Sequence, residues 1–202
     1  MYTDTIRTQV AQLAAQLIHE HGIQDYALAK RKAAKQLGIA DAHHLPGNAE
    51  IEQALHAYQA LFHTDSHPAI LSALSDLAIQ TMQMLSQFNP YITGAVLAGT
   101  ATEHSDIHIE LFTDGEKEVE LFLLNHNIKF KQDQRQIRHK GGHKQIPCFV
   151  LAHDLCDIYI SVHPHSQIRN APRDIPKESL KRASLSYFLT IQDCNQTAAS
   201  SA

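Results

Sequence analysis

A chain of 202 residues with 44% hydrophobic and 19% charged side chains has the make-up of a globular protein, with room for one ordinary domain or two small units. Its net charge of −4 gives no general polyanion-binding signal, and no apolar run approaches the roughly 20 residues that a membrane-spanning helix needs. Three cysteines, Cys148, Cys156 and Cys194, are too few and too irregularly spaced for a disulfide framework or a zinc ribbon. The N-terminal MYTDTIRTQVAQ has no apolar core of a signal peptide, so a cytoplasmic location without a membrane partner is expected.

In chain order, the first 90 residues predict four helices. Ile6, Val10, Leu13 and Leu17 fall on one helical face, and Gly22 is placed to end that helix. A second helix is expected over 25–37, stopped by Gly38. A third starts near Asn48, a good N-cap residue, and buries Ile51, Leu55, Tyr58 and Phe62. The fourth opens around Pro68, carries Ile70, Leu74, Leu77, Leu85 and Phe88, and ends at Asn89-Pro90, since proline cannot continue the hydrogen-bond ladder.

After Pro90 the period changes from 3.6 to 2. Residues 91–98 read as a strand with a glycine break, and 105–112 as a strand of strict alternation. Ile107, Ile109 and Leu111 take one face; Asp106, His108 and Glu110 take the other. Thr113-Asp114-Gly115-Glu116 has capping-box spacing and opens a helix to about Asn125, with Val119, Phe122 and Leu123 inward. Further strands are expected over 128–130, 134–138, 146–151 and 157–162, with a hairpin turn at Lys140-Gly141-Gly142-His143. A final amphipathic helix over 176–191 precedes a tail of small residues expected to be disordered. The order predicts a mixed α+β fold: a helical N-terminal unit (1–67), an α+β domain (68–192) and a tail (193–202). The outer faces of the helices leave room for a homodimer.

Charge is unevenly spread. Residues 91–130 carry seven acidic and two basic side chains, whereas 131–182 carry ten basic and five acidic. One stretch is therefore suited to cations and the next to anions, although a solvated mixed surface has the same composition.

Thr93-Gly94-Ala95, followed by Asp106-Ile107-His108-Ile109, resembles the signature of the nucleotidyltransferase superfamily of DNA polymerase beta type. That signature is an apolar residue, Gly and Ser or Gly, then after about ten residues Asp-apolar-Asp/Glu-apolar. The resemblance covers about residues 68–165, and the whole chain is similar to a small proteobacterial family of predicted nucleotidyltransferases. It implies a nucleotidyltransferase-like mixed sheet with flanking helices, and transfer of a nucleotidyl group from an NTP to an unknown acceptor with Mg²⁺ or Mn²⁺. Glycine allows a close approach of the backbone to a triphosphate. Carboxylates at i and i+2 of one strand project to the same side and can share metal ions that bridge the phosphates.

Two positions depart from this pattern. Ala95 stands where a serine would touch a phosphate, and His108 stands where the second carboxylate belongs. A neutral imidazole suits Mn²⁺ or Zn²⁺ better than Mg²⁺. Glu110 is on the same face about 7 Å further on and is the candidate replacement. The implied catalytic set is Asp106, His108, Glu110 and Asp157, with Asp106, His108 and Glu110 as metal ligands. Asp154 is a second candidate for the third carboxylate; with Tyr159 at that position there would be none. Gly94 and Ala95 would lie along the phosphates, and Lys140 and Lys144, in a basic hairpin with Arg135 and Arg138, would reach a triphosphate or a nucleic-acid backbone.

Alternatives remain on the sequence, among them an RNA-associated module whose binding would be salt-dependent and would not require Asp106. The same cleft could serve a non-catalytic nucleotide-binding or protein-interaction module, and the polar row could be the plain solvent face of an amphipathic strand.

Overall fold

The structure is a computed structural model that describes residues 2–23, 25–39, 45–62, 67–139, 142–170 and 182–199. The chain divides into two compact units. One comprises Met1–Leu71 with Gly99–Ser105, and the other Ser72–Ala98 with Asp106–Ala202.

The first unit is helical. Helix α1 (Tyr2–His21) packs Val10, Ala14, Leu17 and Ile18 with Ala29 and Ala33 of α2 (Tyr26–Gln36) and Ile51 and Leu55 of α3 (Asn48–Phe62). Alanines form the buried side of α2, which allows a close approach to α1. Asp25 caps α2 by accepting the Ala27 N–H at 2.8 Å. Gly22 and Gly38 follow α1 and α2 with φ of +60° and +68°, the backbone region where glycine carries no Cβ penalty. Asn48 is not the N-cap expected for α3. The Ile51 N–H donates to the Gly47 carbonyl, and Glu50 accepts the Gly47 N–H at 2.6 Å, so Gly47 takes the cap position.

The second unit is a mixed α+β structure on a six-stranded sheet of order β3-β4-β5-β2-β1-β6. The strands are β1 (Pro90–Thr93), β2 (Ile107–Phe112), β3 (Lys131–His139), β4 (Gly142–Ala152), β5 (Asp157–His163) and β6 (Arg182–Ser184). β2 and β5 are parallel; every other neighbouring pair is antiparallel. The register sorts side chains onto two faces. Ile92, Ile107, Ile109, Leu111, Phe149, Leu151, Ile158, Ile160, Val162 and Ala183 share one face and are buried. Covering such a face is the task of the helices, whose inward residues Val119 and Leu123 on α6 (Glu116–Asn125) and Phe188 and Ile191 on α7 (Leu185–Ala199) are buried too.

Several boundaries differ from those read in the sequence. Helix α4 (His67–Met84) stops before a 3-10 turn over Ser86–Phe88 and Asn89 at φ +51°, which delivers Pro90 as the first residue of β1. β1 ends at Thr93. Gly94, at φ +75°, swings the chain into the short helix α5 (Gly94–Ala98) instead of continuing a strand to 98. No capping box forms at Thr113, whose hydroxyl accepts the Gly115 N–H, and α6 starts at Glu116 with Gly115 as its cap. Residues 128–130 lead into β3 and are not a strand, because the Ile128 N–H still bonds the Leu123 carbonyl at the end of α6. The last helix begins at Leu185, after β6, and runs to Ala199, beyond the position where the tail was expected. Residues 176–181 of the expected helix lie outside the described residues, as do 140 and 141 of the expected hairpin turn. The strands on either side do form a hairpin, but His139 pairs with Gly142 and Arg138 with His143, so Gly142 and His143 belong to β4 and not to the turn. Among the described residues, no helix is long and apolar enough to cross a membrane.

Candidate functional site

The second face of the sheet carries His108 and Glu110 of β2 among polar neighbours and the buried Phe112, with Asp106 immediately before the strand. Period-2 alternation sets this: the partners of β2 in the register put Tyr159, Ser161 and His163 of β5, Thr93 and Tyr91 of β1, and Arg182 of β6 on the same side. Two strands beyond β5, the β3–β4 pairing adds Asp133 and Arg135. The three residues of the row do not converge on one point; each meets different partners.

Immediately before β2, Asp106 Oδ1 accepts the backbone N–H of Asp157, the residue favoured as third carboxylate, at 3.3 Å. Asp154 is exposed in the loop before β5. Tyr159, and not Asp157, stands directly opposite His108 in the parallel register. Burial, followed by the charges of Asp106, Asp157 and, more weakly, Asp133, pushes the Tyr159 hydroxyl above its usual range. This end of the face therefore has negative potential.

In the middle of the row, the His108 ring lies 5.2 Å from the Tyr159 ring, and Arg135 Nη1 donates to His108 Nδ1 at 3.1 Å. A Cβ on Gly94 would come within 3.2 Å of His108 Cδ2. The glycine turn thus makes room for the imidazole, while Ala95 is half-buried inside α5. Burial, with the Arg135 charge second, lowers the His108 pKa to about 4 against the pull of Asp106. At neutral pH the ring is uncharged, with its lone pair on Nδ1 toward the guanidinium and its hydrogen on Nε2.

At the far end, Glu110 Oε2 lies 3.4 Å from Arg182 Nη1, and Glu110 Oε1 lies 3.8 Å from His163 Nε2. Arg182 also donates to the Gln167 carbonyl at 3.1 Å, and its guanidinium sits 4.6 Å above the Phe112 ring. Glu110 is therefore committed to a different neighbourhood from Asp106. Among the described residues, no group of three or more His, Cys, Asp or Glu side chains is placed to hold one metal ion. Lys140 lies outside the described residues, and Lys144 is described only as backbone, paired with Ile137 in the hairpin.

Sequence reasoning grouped Arg135 with a solvent-exposed hairpin and did not connect it with His108. Arg182, His163 and Gln167 were not singled out for the site. Alternation along 157–163 puts Tyr159, Ser161 and His163 on one face and could have flagged His163, but a three-residue strand such as β6 has no readable period.

No protein-family model matches the chain, and neither a curated protein nor a solved structure is significantly similar to it.

Proposed function

We propose that the polar face of the sheet binds a nucleoside triphosphate together with its divalent cation and does not transfer the nucleotidyl group. The observation that carries this is the neutral His108 ring bonded to Arg135 at the position where the resemblance calls for a second carboxylate. In-line transfer by two metals needs carboxylates that hold both ions close together. Here a guanidinium occupies the neighbourhood of the second one.

One Mg²⁺ or Mn²⁺ would be held by a carboxylate of this face together with the phosphates. Mg²⁺ is commonly held by one or two carboxylates together with substrate phosphates, and Asp106, whose Oδ1 accepts the Asp157 backbone N–H at 3.3 Å, is the carboxylate proposed to hold it, with Asp157 next to it in the fold. Bound there, the cation would neutralise phosphate charge. Arg135 uses one N–H on His108 and keeps further donors for a phosphate oxygen, in the planar geometry that suits oxyanions. His108 holds that guanidinium in place, and Tyr159 walls the ring. The protein would then be a nucleotide-responsive module on a nucleotidyltransferase-like sheet.

The test pairs calorimetry with incorporation of α-labelled NTPs, using the wild type and Asp106→Ala with Mg²⁺ or Mn²⁺. Wild type should bind NTP in the presence of the cation, lose that binding on Asp106→Ala, and form no labelled product. Labelled product that disappears with Asp106→Ala would make the protein an enzyme and end this proposal.

A further inference from the structure

The helical unit gathers its positive charge on one short helix. Of the five Lys and Arg side chains in residues 1–71 and 99–105, four belong to α2: Lys30, Arg31, Lys32 and Lys35. That helix has no acidic residue. The fifth cation, Arg7 on α1, is tied to Glu50 at 2.6 Å. Among the described residues, ion pairs form with Arg7, His104, His163 and Arg182, and none forms with α2.

Helical geometry turns these charges outward. Leu28, Arg31, Lys32 and Lys35 follow the i, i+3, i+4, i+7 spacing of a single face, and all four are exposed. Ala29 and Ala33, on the buried side, pack into the core with α1, so the back of the helix is fixed. Like charges one turn apart, such as Arg31 and Lys35, repel each other. With no carboxylate on α2 to relieve that repulsion, the face favours an anionic partner.

The shape of the helix narrows the choice. A membrane surface takes up a helix by its apolar side, and the apolar side of α2 is already buried in the unit. The major groove of duplex RNA is too deep and narrow for side chains to read. That of B-form DNA is about 12 Å wide and admits a helix of about 10–12 Å diameter. α1 and α2 are joined by residues 22–25, with Gly22 at φ +60°. Helix–turn–helix units use a connection of this length and lay their second helix in that groove. Arg31 and Lys35 are about 6 Å apart along the helix axis, close to the roughly 6.8 Å of two phosphate steps on one DNA strand.

We infer that α2 docks on the phosphate backbone of duplex DNA through Arg31, Lys32 and Lys35. This is independent of the nucleotide proposal above. Fluorescence anisotropy of the full chain with a labelled DNA duplex of about 20 base pairs, between about 50 and 200 mM salt, tests it. Three phosphate contacts predict a slope of about −2.7 for log K against log salt, a loss of about 40-fold over that range. Lys35→Ala should make the slope shallower by about 0.9, and combined Arg31→Ala, Lys32→Ala and Lys35→Ala should bring it near zero with binding lost. Alanine is a good helix former and these positions are exposed, so circular dichroism should be unchanged. Asp106→Ala should bind DNA as wild type does. So should combined Lys117→Ala and Lys129→Ala, which removes two exposed cations of the other unit. No binding at the lowest salt, an unchanged slope in the triple variant, or an equal loss in the Lys117 and Lys129 control would overturn the assignment. Tighter binding to duplex RNA of the same length, or to phosphatidylserine vesicles, would overturn it in favour of that partner.

Discussion

His108 should make the protein acid-sensitive in a way that one substitution removes. The ring titrates at its ordinary 6.5 in the unfolded chain and at about 4 in the folded one. Between those values the unfolded chain binds a proton that the folded chain refuses, so stability falls as the pH drops and is fully retained above about 6.5. Integrating the linkage from neutral pH gives a loss of about 2 kcal/mol at pH 5 and about 3 kcal/mol at pH 4 from this one ring. The protein has fifteen histidines and 21 carboxylates, so the observable is a difference between variants. Urea unfolding followed by circular dichroism should be run at pH 7 and pH 5 on wild type and His108→Gln, which has no proton to take up. The gap between the two proteins should change by about 2 kcal/mol over that interval, wild type losing more. Arg135→Ala should show a smaller loss than wild type, since it removes the second cause of the lowered value while leaving burial, the first. Identical pH dependence in wild type and His108→Gln, or a ring that titrates near 6.5 by NMR, would refute the argument.

Gly94→Ala should destabilise the second unit by about 1–2 kcal/mol through the left-handed backbone alone, because φ is +75° there. The added methyl also presses on His108 Cδ2 at 3.2 Å, so the loss should shrink, though not vanish, in a His108→Ala background; chemical denaturation of the four variants checks both parts. Asp25→Ala removes the side-chain acceptor of the Ala27 N–H and should cost about 1 kcal/mol. Hydrogen exchange should localise that effect to the first turn of α2, and unchanged protection there would contradict the capping assignment.

The helical half was legible because its signals are local. A period of 3.6 in 6–17 and glycines at 22 and 38 act within a few residues of where they are read. The alternation of β2 was legible for the same reason, and it put His108 and Glu110 on the face opposite Ile107, Ile109 and Leu111. What the residues of that row meet was not legible, because it follows from register between distant segments. The parallel pairing of β2 with β5 sets Asp157 beside Asp106 and Tyr159 opposite His108, across about fifty residues of sequence. Arg135 arrives from two strands beyond β5, and Arg182 from a strand too short to show a period. Misplaced boundaries have a similar origin. Thr113 has capping-box spacing, but its hydroxyl takes the Gly115 N–H instead, a local competition between turn and helix that spacing alone does not resolve.

The charge pattern links the fold to the proposal. Asp106, Asp133 and Asp157 all bear on Tyr159, and Arg135 is the cation that meets His108 in their midst. A bare triphosphate would add negative charge to a face with more carboxylates than guanidinium groups and should be repelled. A triphosphate that brings a divalent cation reverses that balance, so the proposed binding should be cation-dependent even without chemistry. His108 matters twice in this arrangement. It stands where the resemblance calls for a carboxylate, and its Nδ1 accepts from Arg135. A carboxylate introduced at position 108 would face the same guanidinium, and the two would form a charge-assisted pair in place of a metal site. His108→Asp alone is therefore expected not to create a two-metal site while Arg135 stays in place.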